Sequence, residues 1–215
     1  MIKEVFRIIS IWIIVLPFVA GLINYKGLNK NSRWIFFLVI VGLVPQVLTF
    51  VINKHNVILN FSYNVYTLIE FWLLFLVFRN HFISRSSSIF INLTSLVYVI
   101  IATILILKKG VLITFINELV CFNNVIYMIW VLLILKEQYN AGNSIINKRN
   151  PFAWYLLGIL VYAPCTVIVF ALYFYIRQSS NPVLLDLWII QSICNILLYL
   201  FFSVGLFIPK QNSVN

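Results

Sequence analysis

Seven apolar runs dominate the sequence, near residues 5–24, 34–53, 65–83, 88–107, 111–135, 151–176 and 185–208. Each is long enough to cross the hydrocarbon core of a bilayer, which takes about 20 mostly apolar residues. Lipid supplies no hydrogen-bond partner for a free backbone group, so runs of this length must close their own bonds as helices. The alternation of a membrane β-strand is absent from all seven. The expected fold is therefore all-α: one polytopic domain over 1–215, with seven transmembrane helices and short connections. The longest connection is EQYNAGNSIINKRN at 137–150.

Charge agrees with lipid as the solvent. Only 9% of the residues are charged and 63% are hydrophobic, against roughly a quarter and a half in an ordinary soluble domain. The net charge of +10 does not read as a nucleic-acid surface, which would gather its basic residues into one stripe. Here Lys and Arg stand singly or in small groups between spans, as in YKGLNKNSRW, KKG and NKRNP. The expected partner is the bilayer, and nucleic acid is excluded. Cys121, Cys165 and Cys194 all fall in apolar runs with no CxxC spacing, and read as small apolar fillers.

Basic residues also set the expected orientation. Six Lys and Arg lie on the side that holds the N-terminus and nine on the other. That places the N-terminus outside and the C-terminus in the cytoplasm of a cell inner membrane. The opening MIKEVFRIISIWIIVLPFVAGL reads as a retained first helix. A cleaved signal peptide is the alternative, and would leave six spans.

Spans two and six share a pattern. Each opens with Trp (Trp34, Trp154) and carries a Pro ten or eleven residues on (Pro45, Pro164). The next spans each place a polar residue at a matching distance, 36 residues from Trp34 to Glu70 and 37 from Trp154 to Gln191. A parallel three-plus-one-plus-three repeat is one reading; interfacial Trp and common mid-span Pro aligning by chance is the other. Pro17, Pro45 and Pro164 are the expected helix kinks.

The stretch GLVPQVLTF, with Pro45-Gln46, resembles the PQ-loop family of seven-helix sugar and amino-acid carriers. In that family the motif lies in the first and fifth helices, whereas here it lies in the second, and its partner reads Pro164-Cys165. The resemblance implies a carrier. The chain as a whole resembles the small, uncharacterised seven-helix membrane proteins found in many bacteria, a likeness of general pattern that carries no functional residues across.

Polar residues in the spans form stripes. Tyr63, Tyr66, Thr67 and Glu70 recur at helical spacing in span three; so do Asn117, Glu118, Cys121 and Asn124 in span five, and Gln191, Asn195 and Tyr199 in span seven. These spans run in one direction, and Glu70, Glu118 and Gln191 each fall ~9–10 Å in at a rise of ~1.5 Å per residue. A shared interior site is therefore expected, binding a ligand or cation through Glu70, Glu118, Gln191, Asn195, Asn124, Tyr66 and Gln46. An isolated carboxylate is costly in lipid. With no Lys or Arg deep in any span, both acids should be protonated, hydrogen-bonded by neighbours, or neutralised by a bound cation. Interhelical hydrogen bonding that merely joins helices is the competing reading.

Absent residue types exclude several chemistries. Every Lys lies in a loop or at a span end, so no retinal Schiff base can form. Two His and one Asp cannot supply a zinc site, a haem ligand pair or a Ser–His–Asp set in a membrane cavity; His55 and His81 read as solvated loop residues. No cofactor or metal is expected. Three functions remain open. The first is a non-enzymatic sensor or signalling partner that binds a small or lipidic ligand and meets a protein partner at its cytoplasmic loops, 136–150 above all. A small proton- or cation-coupled carrier is the alternative. The third is a lipid-modifying enzyme that uses Glu70 and Glu118 as an acid–base pair.

Overall fold

A computed structural model of the chain describes residues 2–51, 57–111, 114–142, 149–172 and 182–208. Among these there are helices and no strands. In chain order they are α1 (Ile2–Trp12), α2 (Val15–Ile23), a 3-10 turn at Tyr25–Gly27, α3 (Lys30–Val51), α4 (Val57–Arg79), α5 (Arg85–Lys109), α6 (Asn117–Asn140), α7 (Pro151–Ala171) and α8 (Pro182–Phe207). Seven segments of this set are long and apolar enough to cross a membrane, with α1 and α2 together forming the first.

Local chemistry sets the helix ends. Ser84 caps α5 by accepting from the Ser87 amide, and Gly110, at φ 71°, ends it in a conformation that L side chains avoid. Asn150 caps α7 through the Phe152 amide, with Pro151 at the first helical position, where its missing N–H is no loss. Of the three expected kinks, Pro17 coincides with a break. It cannot donate to the Ile13 carbonyl, the chain turns between α1 and α2, and the Leu16 amide takes that carbonyl at 3.0 Å instead. Both α3 and α7 continue as helix through Pro45 and Pro164.

The fifth span corrects the sequence reading in one respect. It was expected from residue 111, but Val111–Ile116 is not helical where described, and α6 begins at Asn117. The side chain of Asn64, buried in α4, holds that connection. It donates to the carbonyls of Val111 and Thr114, each at 2.8 Å, and accepts from the Ile116 amide at 3.0 Å. Three bonds to one buried amide outweigh the turn of helix that the apolar sequence alone would favour.

Six spans form a closed ring in chain order, α1/α2, α3, α4, α6, α7 and α8, with α8 returning to α1 and α2. α5 packs outside the ring against α4 and α6, and its span is 22% buried against 50% for α7. Its outer face (Leu93, Leu96, Ile100, Leu107) is exposed and apolar, as lipid contact requires.

The half of the bundle nearest the α4–α5 and α6–α7 connections is solid. Trp130 is fully buried, donates to Thr94 at 3.0 Å, and packs edge-on to Phe78, with Phe71 stacked on Tyr98 at 3.5 Å beside it. Tyr155 donates to Ser32 at 2.9 Å and lies directly over Gly205, where a Cβ would overlap its ring. His81, expected to be solvated, is instead partly buried. Its ring stacks on Phe152 at 3.3 Å, Nδ1 donates to the Val77 carbonyl at 2.9 Å, and Asn31 donates to Nε2 at 3.4 Å. The apolar face of Phe152 draws it inward. His55 and residues 143–148 of the basic connection lie outside the described residues.

Candidate functional site

The other half of the bundle is hollow. Two adjoining chambers, of about 20 and 120 Å³, share five lining residues: Tyr66 and Glu70 from α4, Asn124 from α6, Tyr162 from α7 and Tyr199 from α8. Glu70 therefore stands where the chambers meet. The narrower one runs among apolar side chains such as Leu38, Leu74 and Ile159. The wider one is lined by Gln46, Tyr63, Thr67, Phe115, Phe170 and Asn195, among others.

Helical periodicity explains the α4 contribution. Tyr63, Tyr66, Thr67 and Glu70 all line the wider chamber because they share one face. That face is fixed in place from both sides. Asn64 ties the start of α4 to the α5–α6 connection, and Asn123 on α6 donates to the Thr67 carbonyl at 3.1 Å. Tyr66 and Glu70, one turn apart on that face, line both chambers.

The hydrogen-bond roles in the wall can be assigned without ambiguity, because backbone carbonyls only accept. Asn124 gives its NH₂ to the Val120 carbonyl at 2.8 Å, and Asn195 gives its own to the Ser10 carbonyl at 2.9 Å. The Thr67 hydroxyl donates to the Tyr63 carbonyl at 2.9 Å. The Thr49 hydroxyl donates to the Pro45 carbonyl at 2.7 Å, so in the 3.0 Å contact between Tyr63 and Thr49 the phenol is the donor. At Asn195, Thr67 and Tyr63 the donors are thus spent on the protein and acceptor oxygens remain, while Asn124 keeps one N–H.

Glu70 is the one acid in either lining, and no Lys, Arg or His joins it. The phenols of Tyr66, Tyr98, Tyr127, Tyr162 and Tyr199 all lie within electrostatic reach of its carboxyl. Two of these hydroxyls, on Tyr98 and Tyr127, are buried without a partner, as is the side-chain oxygen of Asn123. Among the described residues, no three His, Cys, Asp or Glu gather as a metal site would require.

Of the residues expected at a shared site, Glu70, Asn124, Tyr66, Gln46 and Asn195 do line the chambers, with Pro45 at the edge. Gln191 does not. It donates to Thr166 at 3.0 Å, and the Thr166 hydroxyl is bonded in turn to the Tyr162 carbonyl at 2.9 Å. Glu118 is a correction: it is absent from the lining, its side chain is 53% exposed, and it pairs with Lys109. The late start of α6 puts Glu118 in the first helical turn, where a carboxylate suits the helix dipole, and Gly110 turns the end of α5 back towards it. The expectation that no basic residue could reach a span acid therefore fails at Glu118 and holds for the Glu70 lining.

Sequence reasoning missed Tyr162, Tyr127 and Asn64. Tyr162 and Tyr127 each interrupt an apolar run far from a headgroup layer, where a Tyr must find an interior partner, and that was the signal available; Asn64 falls just before the expected start of span three and gave none. Cys165 and Cys194 face each other across α7 and α8 with sulfurs 3.0 Å apart. Comparisons with protein-family models, curated proteins and solved structures give no match.

Proposed function

We propose that the chain is a non-enzymatic membrane receptor that admits a small ligand to the Glu70 cavity and signals to a partner protein at the loops of the opposite face. The observation that carries this reading is that neither chamber's lining reaches the packed layer of Trp130 and Phe78. A cavity that stops short of that layer suits binding from one face better than passage through the protein. By the count of basic residues, that face is the outer face of a bacterial inner membrane. The acid–base enzyme loses its support, since Glu118 is committed to Lys109 away from the cavity.

A small carrier is the second reading. It is favoured by the broken first span at Pro17 and by a ring whose order, with α5 left outside, matches a parallel three-plus-one-plus-three repeat. A proton or cation would then ride on Glu70, and the solid layer would have to open.

Thiol access separates the two. Gln46→Cys, placed in a chain with Cys121, Cys165 and Cys194 replaced by Ala, should react with an impermeant thiol reagent from the N-terminal face of oriented vesicles only. Reaction from both faces would replace the receptor with the carrier. No reaction from either face would remove the ligand-binding reading altogether.

A further inference from the structure

We propose that the ligand is a protonated organic amine, with its ammonium group on Glu70 and its carbon skeleton among the aromatic side chains. This rests on the reading of the cavity as a ligand site and gives that site a chemical class.

Three features of the wall converge on such a ligand. First, Glu70 is the single carboxyl in either lining, with no basic side chain to pair with it. A ligand that brings a positive charge supplies what the site lacks. Second, several wall groups offer acceptors. The amide hydrogens of Asn195 and the hydroxyl hydrogens of Tyr63 and Thr67 are already given to the protein, which leaves their oxygens. An ammonium group brings N–H donors that match these oxygens and the Glu70 carboxyl. Third, six of the fourteen residues lining the wider chamber are Tyr or Phe. Aromatic rings around a carboxylate favour an organic cation, because ring faces attract it and the same rings accept its apolar part.

The lining argues against a bare metal ion. The wider chamber, at about 120 Å³, approaches the ~150 Å³ of an engineered apolar cavity that takes in benzene. Sodium or calcium needs several oxygens drawn in close together, and one carboxyl among aromatic rings does not concentrate them. Tyrosines in the wall add hydroxyls that are weak ligands for such ions and good walls for a carbon skeleton.

The test uses purified full-length protein in nanodiscs of neutral lipid, with benzylammonium as the probe, benzyl alcohol as its uncharged counterpart and sodium as the bare charge. Benzylammonium should bind saturably, raise the melting temperature, and bind at least about tenfold more tightly than benzyl alcohol. Glu70→Gln, a near-isosteric change, should abolish that preference and leave benzyl alcohol binding as it was. If that variant does not fold, the charged-to-neutral preference of the unaltered protein decides the matter alone. Equal binding of the two probes would overturn the amine and keep a ligand cavity. Protection by sodium equal to that by benzylammonium would overturn it in favour of an inorganic ion. No saturable binding of either organic probe would also overturn it, and failure of the underlying reading would show separately, as an unreactive Gln46→Cys.

Discussion

Around Trp130 the bundle is solid, whereas a short way along the same helices, around Glu70, it is hollow. Asn124 borders both chambers, yet ten residues further along α6 Ile134 is fully buried in packed core. Both regions are rich in aromatic residues. In the solid half rings pack edge to face with no chamber between them, as Phe78 does with Trp130 and Phe152. In the hollow half rings that touch, such as Tyr63 and Phe115, also line a chamber whose carboxyl no basic side chain matches. Stability is thus concentrated in one half and unmet binding capacity in the other, a division expected where a site is built on a rigid support.

Trp130→Ala attacks that division most severely. Truncating a fully buried Trp should cost about 3–5 kcal/mol, read as a lower denaturation midpoint in detergent. Tyr199→Phe, which removes one hydroxyl from the cavity wall, should cost under about 1.5 kcal/mol. Similar losses from the two would show that the halves are equally packed.

Glycine gives a finer comparison. Gly205→Ala in the solid half forces a methyl into the ring of buried Tyr155 and should cost about 1–3 kcal/mol. Gly42→Ala at the cavity rim meets only flexible side-chain atoms, Ile14 Cδ1 at 3.2 Å and Tyr66 Cε2 at 3.3 Å, and should cost less. A larger loss at Gly42 would reverse the assignment of rigid and open halves.

The smallest effect concerns pH. Burial lowers the pKa of His81 below its ordinary 6.5, against the opposing pull of the Val77 carbonyl. The unfolded chain therefore takes up the proton first, so this contribution to stability is complete above pH 6.5 and is lost as pH falls below it. Melting curves from pH 8 to 5.5 should show a steeper acid decline for the native protein than for His81→Phe, which keeps the stack on Phe152. Parallel curves would leave His81 without a role in the solid half.

Much of this arrangement was legible in the sequence, and the exceptions have physical reasons. Span number and helical class follow from the backbone's need for internal hydrogen bonds in lipid, and were readable directly. The Tyr63, Tyr66, Thr67, Glu70 face was readable from its periodicity. The span-seven stripe was only half readable: Asn195 and Tyr199 reach the cavity, whereas Gln191 is taken by Thr166 on a neighbouring helix. Glu118 misled because apolar content marks where a membrane begins but not where a helix does. That boundary was decided by Asn64, some fifty residues away in the chain, which no local pattern reveals.

The three hydrogen bonds of the Asn64 side chain have a mechanical consequence. They act as a rivet between the first turns of α4 and the hairpin that joins α5 to α6. A push on Glu70 that rocked α4 would drag that hairpin with it, or else break three bonds in a dry interior. A displacement of α4 at the carboxyl would thus be shared with its neighbour and not absorbed by α4 alone.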